Sequence, residues 1–391
     1  MVSRRVLGVA LMAFALAWGV LGMVVAAQDA YILHLPTVWR GAPPSPTSPA
    51  PTPTVPGEFL WETTIIDSDG DVGMDTSLAL GTGGRVHISY SDSRDGDLKL
   101  ATLDGGSWQV ERVDQDGDVG TYSSLALDAQ GRPHISYYDR GEGDLKLATF
   151  DGASWRTERV HTDDDVGLYS SLALDAGDHA HISYFDLTNR DLLYTYWDGA
   201  AWGVTAVDSQ GDVGYYTSLD LDSEGNPHIS YCDWTNRALK YARWSGVSWE
   251  VSTIDQTGSV GLYSSLVVDS GDRPHISYYD YQNGALKYAR HDGTDWQLTT
   301  VDAEPAQDLG NYTSLTLDAV GRPHITHFER IYGDLRYSWW AGDHWRSETV
   351  ESYGVVGVYS SIAVDAEGTV HISHYDQTYG DLRYTRGQPQ P

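Results

Sequence analysis

Val119–Trp155 reads VGTYSSLALDAQGRPHISYYDRGEGDLKLATFDGASW, and a close copy of this stretch occurs seven times along the 391-residue chain. Three anchors mark the period. A His-Ile pair begins at His87, His134, His181, His228, His275, His324 and His371. A glycine before an aromatic or small polar turn stands at Gly73, Gly120, Gly167, Gly214, Gly261, Gly310 and Gly357. A tryptophan recurs at Trp61, Trp108, Trp155, Trp202, Trp249, Trp296 and Trp345. The His spacing is 47 residues, with one interval of 49 between His275 and His324. Repeats of roughly 40–50 residues are the mark of radial arrays, in which each unit buries its apolar face only against its neighbours.

Within one period the composition predicts four short strands, in the second copy Ser123–Asp128, His134–Tyr138, Leu145–Phe150 and Trp155–Val160. Each is rich in Val, Ile, Tyr, Trp or Thr, and turn residues (Gly131-Arg132-Pro133, Gly141 to Asp144, Asp151-Gly152) separate them. Large and small side chains alternate, as sheets packed on both faces require. Four antiparallel strands repeated seven times predict an all-β fold, a seven-bladed β-propeller. Trp61 precedes the first complete copy and the last copy stops at Arg386 before any Trp strand, so six copies are whole and the seventh is split. The stretch Leu60–Ile66 is therefore expected as the outer strand of the last blade, closing the ring.

Arg4 and Arg5, the apolar run Val6 to Val25 and the small residues Val25-Ala26-Ala27 read as a signal peptide over residues 1–27. The run is long for a cleaved signal, and an uncleaved membrane anchor is the competing reading. Either places the remainder outside the cytoplasm, secreted or at the cell surface. Residues 28–57 form a linker whose Pro/Thr/Ser tract, APPSPTSPAPTPTVPG from Ala42, is an extended spacer. The propeller is expected over 58–387, with a tail at 388–391. The single cysteine, Cys232, stands where sister copies carry Tyr138 and Tyr279, so it reads as a packing substitution and no intrachain disulfide exists. A formal net charge of −30 with only four lysines excludes nucleic acid as a partner and leaves a membrane role only to an uncleaved N-terminus. It suits a soluble monomer that meets cations or neutral ligands.

The loops that join blades, such as DQDGDVGTY (Asp114–Tyr122), and the loops between second and third strands, such as YDRGEGD (Tyr138–Asp144), share one face. That face is acidic, tyrosine-rich and the most variable between copies, and ligands usually meet loops held by a rigid scaffold. Ligand-binding candidates are the tyrosines that recur once per blade, Tyr122, Tyr169, Tyr216, Tyr263, Tyr312 and Tyr359, with Asp139, Asp186, Asp233 and Asp280. An aromatic ring covers the C–H face of a sugar and a carboxylate accepts its hydroxyl hydrogens; one site per blade would add avidity for a branched glycan. Packing between blades is the competing role for these tyrosines, and turn capping for the aspartates. Asp67, Asp69 and Asp71, and Asp114, Asp116 and Asp118, put carboxylates at alternate positions, and Asp75 adds a ninth-position group. That spacing is how a short loop wraps calcium, although the glycine stands fourth and not sixth; a solvated acidic turn is the alternative. No other cofactor is indicated. His327 and His374 replace the tyrosine found at Tyr137, in adjacent copies, and are the acid–base candidates against a simple exchange in a half-buried strand. The seven His-Ile histidines are too evenly spread to share one metal and read as hydrogen-bonding groups inside each blade.

The whole repeat, from G-x-P-H-I-S-Y-Y-D to D-G-x-x-W over Glu58–Arg386, resembles the secreted bacterial propellers of the sialidase-like, BNR or Asp-box group. Thr102-Leu103-Asp104-Gly105-Gly106-Ser107-Trp108 is similar to an Asp-box but one residue short. The resemblance implies one of three activities: sialidase, polysaccharide lyase or non-catalytic sugar binding. A sialidase of that group needs an arginine triad, and Arg94, Arg140, Arg190, Arg237 and Arg330 do not share one repeat position. The expectation is an extracellular module that binds carbohydrate or another polar ligand on its loop face. The alternatives are a polysaccharide-active lyase or hydrolase, and a structural repeat protein of the cell envelope.

Overall fold

A computed structural model describes residues 59–390; the targeting run 1–27 and the linker 28–57 lie outside the described residues. The described chain forms seven four-stranded antiparallel sheets, each running from an inner to an outer strand. Blade 2 is typical, with strands Val119–Leu127, Pro133–Asp139, Asp144–Phe150 and Trp155–His161. Blades 1 (72–114), 3 (166–208), 4 (213–255), 5 (260–302) and 6 (309–351) repeat it. Blade 7 takes three strands from residues 356–389, and its outer strand is Phe59–Asp67, paired antiparallel with Asp381–Pro389 from Phe59↔Pro389 to Asp67↔Leu382. The chain is a seven-bladed β-propeller closed by its N-terminal strand. The last strand continues to Pro389, past the boundary at 387.

Each inner strand starts earlier than the alternation predicts, at Val119 instead of Ser123, because it carries a bulge. The register against the second strand shifts between Val119 and Thr121 and again between Thr121 and Ser124. Gly120 has φ 95° and Tyr122 φ 55° there. A Cβ on Gly120 would lie 2.8 Å from the Cα of Leu98 in blade 1, and one on Gly73 would lie 2.8 Å from the Cα of Leu382 in blade 7. The recurrent glycine is thus the point where one blade presses on the backbone of the previous one.

The core is shared among the blade interfaces. At the first, Leu98, Leu100 and Val113 of blade 1 meet Val119, Leu125, Ile135, Tyr137 and Ala148 of blade 2. Fully burying one such side chain stabilises by about 1.5–3 kcal/mol. The recurrent tryptophans pack across interfaces: Trp249 of blade 4 meets Tyr194 of blade 3 edge-on at 5.1 Å, and Trp61 meets Tyr337 of blade 6 at 5.1 Å. Inner strands are zipped by serines: the Leu125 amide donates to Ser77 Oγ at 3.0 Å, and the series continues to the Leu78 amide on Ser361 Oγ at 3.0 Å, which closes the circle.

A polar tie also crosses each interface. In blade 2 the Tyr137 hydroxyl donates to Asp114 at the end of blade 1's outer strand (2.6 Å), Lys146 Nζ donates to the same carboxylate (2.6 Å), and it lies 3.5 Å from Asp139. All four lysines of the chain, Lys99, Lys146, Lys240 and Lys287, occupy this position and reach the matching aspartates Asp67, Asp114, Asp208 and Asp255. In blade 3 the lysine is Leu193 and the aspartate is exchanged for His161, which Tyr184 bonds at 2.9 Å. Cation and anion are lost together, as they must be where an unpaired buried charge is costly. Outer strands keep one free edge facing solvent, where exposed Arg156 and Glu158 discourage pairing with another chain.

Candidate functional site

The loop face is held by backbone bonds on both sides of every blade-linking loop. The Val119 amide donates to Gly96 O of the previous blade (3.0 Å), and the amide of Arg140, in the later turn of the same blade, donates to Asp118 O in the blade-linking loop (2.8 Å). The same two bonds recur around the ring, from Val72 to Gly380 O at one end and Gln377 to Val355 O at the other. Side chains on this rim stand on a rigid frame.

The six recurrent tyrosines do not form six separate sites. The bulge turns each one toward the propeller axis, and Tyr122, Tyr169, Tyr216, Tyr263, Tyr312 and Tyr359 converge with Asp75 around one open cavity of about 210 Å³. Ring centroids of successive tyrosines lie 4.6, 4.6, 4.3, 4.4 and 4.8 Å apart; the first four pairs are tilted and the last, Tyr312–Tyr359, is edge-on at 61°. Asp75 occupies the seventh place, and its φ of 50° matches the 50–55° of the tyrosines. The carbonyls of these residues accept bonds from serines of the next blade, Ser123 Oγ to Asp75 O at 2.8 Å and Ser170 Oγ to Tyr122 O at 2.9 Å. Burial, then neighbouring phenols, raises the pKa of Tyr169 and Tyr216 well above the ordinary tyrosine value. These phenols stay neutral.

The aspartates paired with the tyrosines in the sequence reading do not line this cavity. Asp139 accepts the Gly141 and Glu142 amides (3.0 and 3.2 Å); Asp186, Asp233 and Asp280 accept the amides of Asn189, Asn236 and Asn283 (2.9, 2.8 and 3.1 Å). All four are buried turn caps.

The calcium spacing is not a calcium geometry here. Asp67 accepts Tyr90 OH (2.8 Å) and Lys99 Nζ (3.2 Å), and Asp114 is held by Tyr137 and Lys146. Burial alone would raise the Asp67 pKa, but the Asp69 amide, the Tyr90 hydroxyl and Lys99 hold it below the ordinary value. Asp71 accepts Tyr375 OH at 2.5 Å, Asp69 points to solvent beside Arg94, Asp118 faces Arg140 at 3.7 Å, Asp116 gives its amide to Asp114, and Asp75 is on the axis. No group of three or more His, Cys, Asp or Glu among the described residues is arranged to hold a metal. These carboxylates therefore do not fit a calcium ion.

His327 and His374 lie inside blades 6 and 7 with no exposed surface. His327 Nε2 meets Ser338 Oγ at 3.1 Å and lies 3.5 Å from Asp302; His374 Nε2 meets Thr385 Oγ1 at 3.0 Å and lies 3.5 Å from Glu351. They take the tyrosine's place in the interblade tie, with Arg336 and Arg383 in place of lysine. Burial pushes His374 down to about 3 and lowers His327 too. Neither faces a space that a substrate enters.

A second set of residues departs from the repeat and escaped the sequence reading. Trp234, Tyr281, Tyr332, Tyr353 and Tyr379 are exposed on the rim, Tyr281, Tyr332 and Tyr353 by 61%, 64% and 68%. Trp234 and Tyr281 follow the turn aspartates Asp233 and Asp280, where blades 1–3 carry Ser93, Arg140 and Leu187. Tyr332 and Tyr379 stand where blades 1–3 carry Asp95, Glu142 and Asn189. Tyr353 stacks on Tyr379 at 6.5 Å with 14° between planes. Exposed aromatics thus fill the loop face of blades 4–7, while the loops entering blades 1–3 carry Asp69, Asp116, Asp163 and Asp164. The signal was present as single deviations at fixed turn positions.

No family model matches the chain, and no curated protein matches it. Solved structures do. A catalytically inactive virginiamycin B lyase from Staphylococcus aureus with quinupristin aligns with a TM-score of 0.58 and 11% identity, over 84% of this chain and 99% of that one. An ulvan lyase, from a new polysaccharide lyase family and bound to -[GlcA(1-4)Rha3S]-, aligns at 0.54 and 14%, over 80% and 94%. AofleA from Arthrobotrys oligospora aligns at 0.52 and 12%, over 75% and 90%. At such identities the likeness is one of fold: this chain is a propeller of the architecture shared with these proteins, and its chemistry has to be argued from its own residues.

Proposed function

We propose that the chain is an extracytoplasmic carbohydrate-binding propeller, secreted or tethered by its N-terminus, whose binding surface is the aromatic sector of the loop face. The observation that carries this reading is the confinement of Trp234, Tyr281, Tyr332, Tyr353 and Tyr379 to adjacent blades on a backbone-bonded rim. Flat aromatic rings facing solvent stack on the C–H faces of pyranoses, and several in an arc contact successive residues of a glycan. Nearby turns supply polar partners such as Asn236, Asn283 and Gln282. Binding without catalysis suits a face that gathers exposed stacking rings in blades 4–7 while the two unusual histidines lie inside the sheets. The net charge of −30 disfavours nucleic acid and polyanionic glycans and favours a neutral or basic polymer.

The test is a glycan-array screen of the propeller, residues 58–389, followed by titration of the best hit against Tyr281→Ala and Tyr353→Ala. Each variant is expected to weaken binding by about 1–2 kcal/mol, or five- to thirtyfold, with the melting temperature unchanged. Binding that survives both changes at full strength, or an array with no hit, sinks the proposal. Cleavage of the bound glycan by the wild type would move the reading to an enzyme.

A further inference from the structure

A recess of about 420 Å³ opens between the outer strands of blades 3 and 4. Val207 and Gln210 of blade 3 and its linking loop form one wall, Val251 and Thr253 of blade 4 the other, and the buried pair Asp208 and Lys240 lies at the base. The repeat shows why the space is open. The residue paired with the lysine across the strands is Arg112 in blade 1 and Arg159 in blade 2. Each reaches the aspartate that starts its third strand, Asp97 at 2.8 Å and Asp144 at 3.1 Å. In blade 4 that arginine is Thr253, opposite Lys240, and that aspartate is Ala238. A long ion pair is exchanged for two small residues, and the surface over Lys240 is left uncovered. Blade 5 carries the same exchange at Thr300 and Ala285, but Ile254 and Leu298 stand there for Val207 and Val251, each larger by a methylene.

We propose that this recess binds a neutral polyhydroxylated ligand, a single sugar residue in size, held by Lys240, Asp208 and Gln210 between the two valines. The volume falls in the range of pockets that enclose small ligands. The charges at the base select against ions. Lys240 bonds Asp208 and lies 3.9 Å from Asp233, so one cation faces two carboxylates and an added anion is repelled, while a cation meets the ammonium itself. A hydroxyl suits both partners, because it accepts from the remaining N–H groups of Lys240 and donates to the remaining lone pairs of Asp208. The Gln210 side chain adds an amide donor and acceptor at the mouth, and Val207 and Val251, the latter 42% exposed, offer apolar walls to C–H groups. The base is preorganised: Asp208 accepts Tyr231 OH at 2.7 Å and the Gln210 amide at 3.1 Å besides Lys240. None of the rim aromatics lines the recess, so the site does not depend on them.

Saturation-transfer NMR on the full-length protein tests this, with glucose, galactose, mannose and N-acetylglucosamine as neutral probes and acetate and methylammonium as charged ones. The titration is run on the wild type and on Tyr281→Ala/Tyr353→Ala, in which the rim is disabled. At least one sugar is expected to bind the rim variant saturably, and neither ion to compete with it. Gln210→Ala in that background should weaken binding by about threefold or more. Ala238→Asp/Thr253→Arg copies the ion pair of blade 1 over Lys240 and should abolish it, while leaving glycan binding at the rim of an otherwise unchanged protein intact. Gln210 is an exposed loop residue, so its variant reads the site even where the filled variant does not fold. Loss of all sugar binding in the rim variant, stronger binding of acetate or methylammonium, or full-strength binding by Gln210→Ala or by the folded filled variant overturns the proposal.

Discussion

At the scale of single residues, the repeat behaves as a set of natural substitution experiments. The interblade tie appears as Tyr137–Asp114–Lys146 and as Tyr184–His161–Leu193. In blade 3 the cation and its carboxylate partner are replaced together, although the residues lie on different strands. Lys146→Leu alone should therefore cost about 3–5 kcal/mol, because it leaves Asp114 buried beside Asp139 without its cation. Adding Asp114→His, which copies blade 3, should recover most of that loss. Chemical denaturation of the two single variants and the double variant measures the coupling, and additive losses would show that the tie is not a unit. The sequence shows every member of this cluster but not its function. Asp67 and Asp114 lie in an alternating acidic pattern that suggests an ion, and only their contacts with Tyr90, Tyr137 and the lysines reveal structural counter-charges. A chelator should accordingly leave the melting temperature unchanged. A drop on chelation, reversed by calcium, would show that the acidic loops rearrange around metal.

Strands and loops carry the closure of the ring and the shape of the site. Phe59–Asp67 is separated from its partner by the whole propeller sequence, yet it contributes Trp61 to the last interface, where Nε1 donates to Glu348 at 2.7 Å and the ring meets Tyr337. Removing residues 58–67 bares the edge of Asp381–Pro389 and takes away the Asp67 partner of Lys99. The truncated protein should melt at a lower temperature and aggregate; Trp61→Ala should destabilise by about 3–5 kcal/mol while remaining monomeric. An unchanged melting temperature and a monodisperse truncated chain would contradict strand-mediated closure. This element was readable because the phase of the tryptophans left one orphan at the start. The bulge in each inner strand was not readable, since alternation fails where two residues oppose one.

For the whole molecule, the buried histidines set the response to acid. Burial lowers the pKa of all seven His-Ile histidines and of His327 and His374, to about 4 for His324 and about 3 for His374. The folded state holds them neutral, whereas the unfolded chain protonates them near 6.5. Their contribution is complete above that value and is lost as pH falls toward the folded values. Asp220 has the opposite sign: burial raises it to about 6, so its contribution is greatest below the unfolded value of 3.8 and is lost as pH rises through 6. Burial also raises Asp97, Asp144, Asp191, Asp212, Asp334, Glu348, Glu351, Asp376 and Asp381, but from carboxylate values that lie below this interval, so the histidines dominate and the melting temperature should fall between pH 7 and pH 5. A flat or rising profile over that interval would show that the histidines are not buried in their neutral form.

The period, the strands within it, the split blade and hence the closed ring of seven were determined by the sequence alone. Each is a statement about local composition or about a pattern repeated at fixed spacing, and neither needs to know which residues meet in space. The convergence of six tyrosines and Asp75 on one axial cavity was decided only by the tertiary structure, as was the use of the acidic residues as counter-charges between blades. Equivalent positions lie about one repeat apart along the chain and become neighbours only when the ring closes, and a left-handed backbone at a tyrosine turns its side chain where no alternation pattern points. Exposure followed the same rule: His327 and Tyr353 both break the repeat, and the pleat buries the first inside a sheet while the loop lifts the second into solvent.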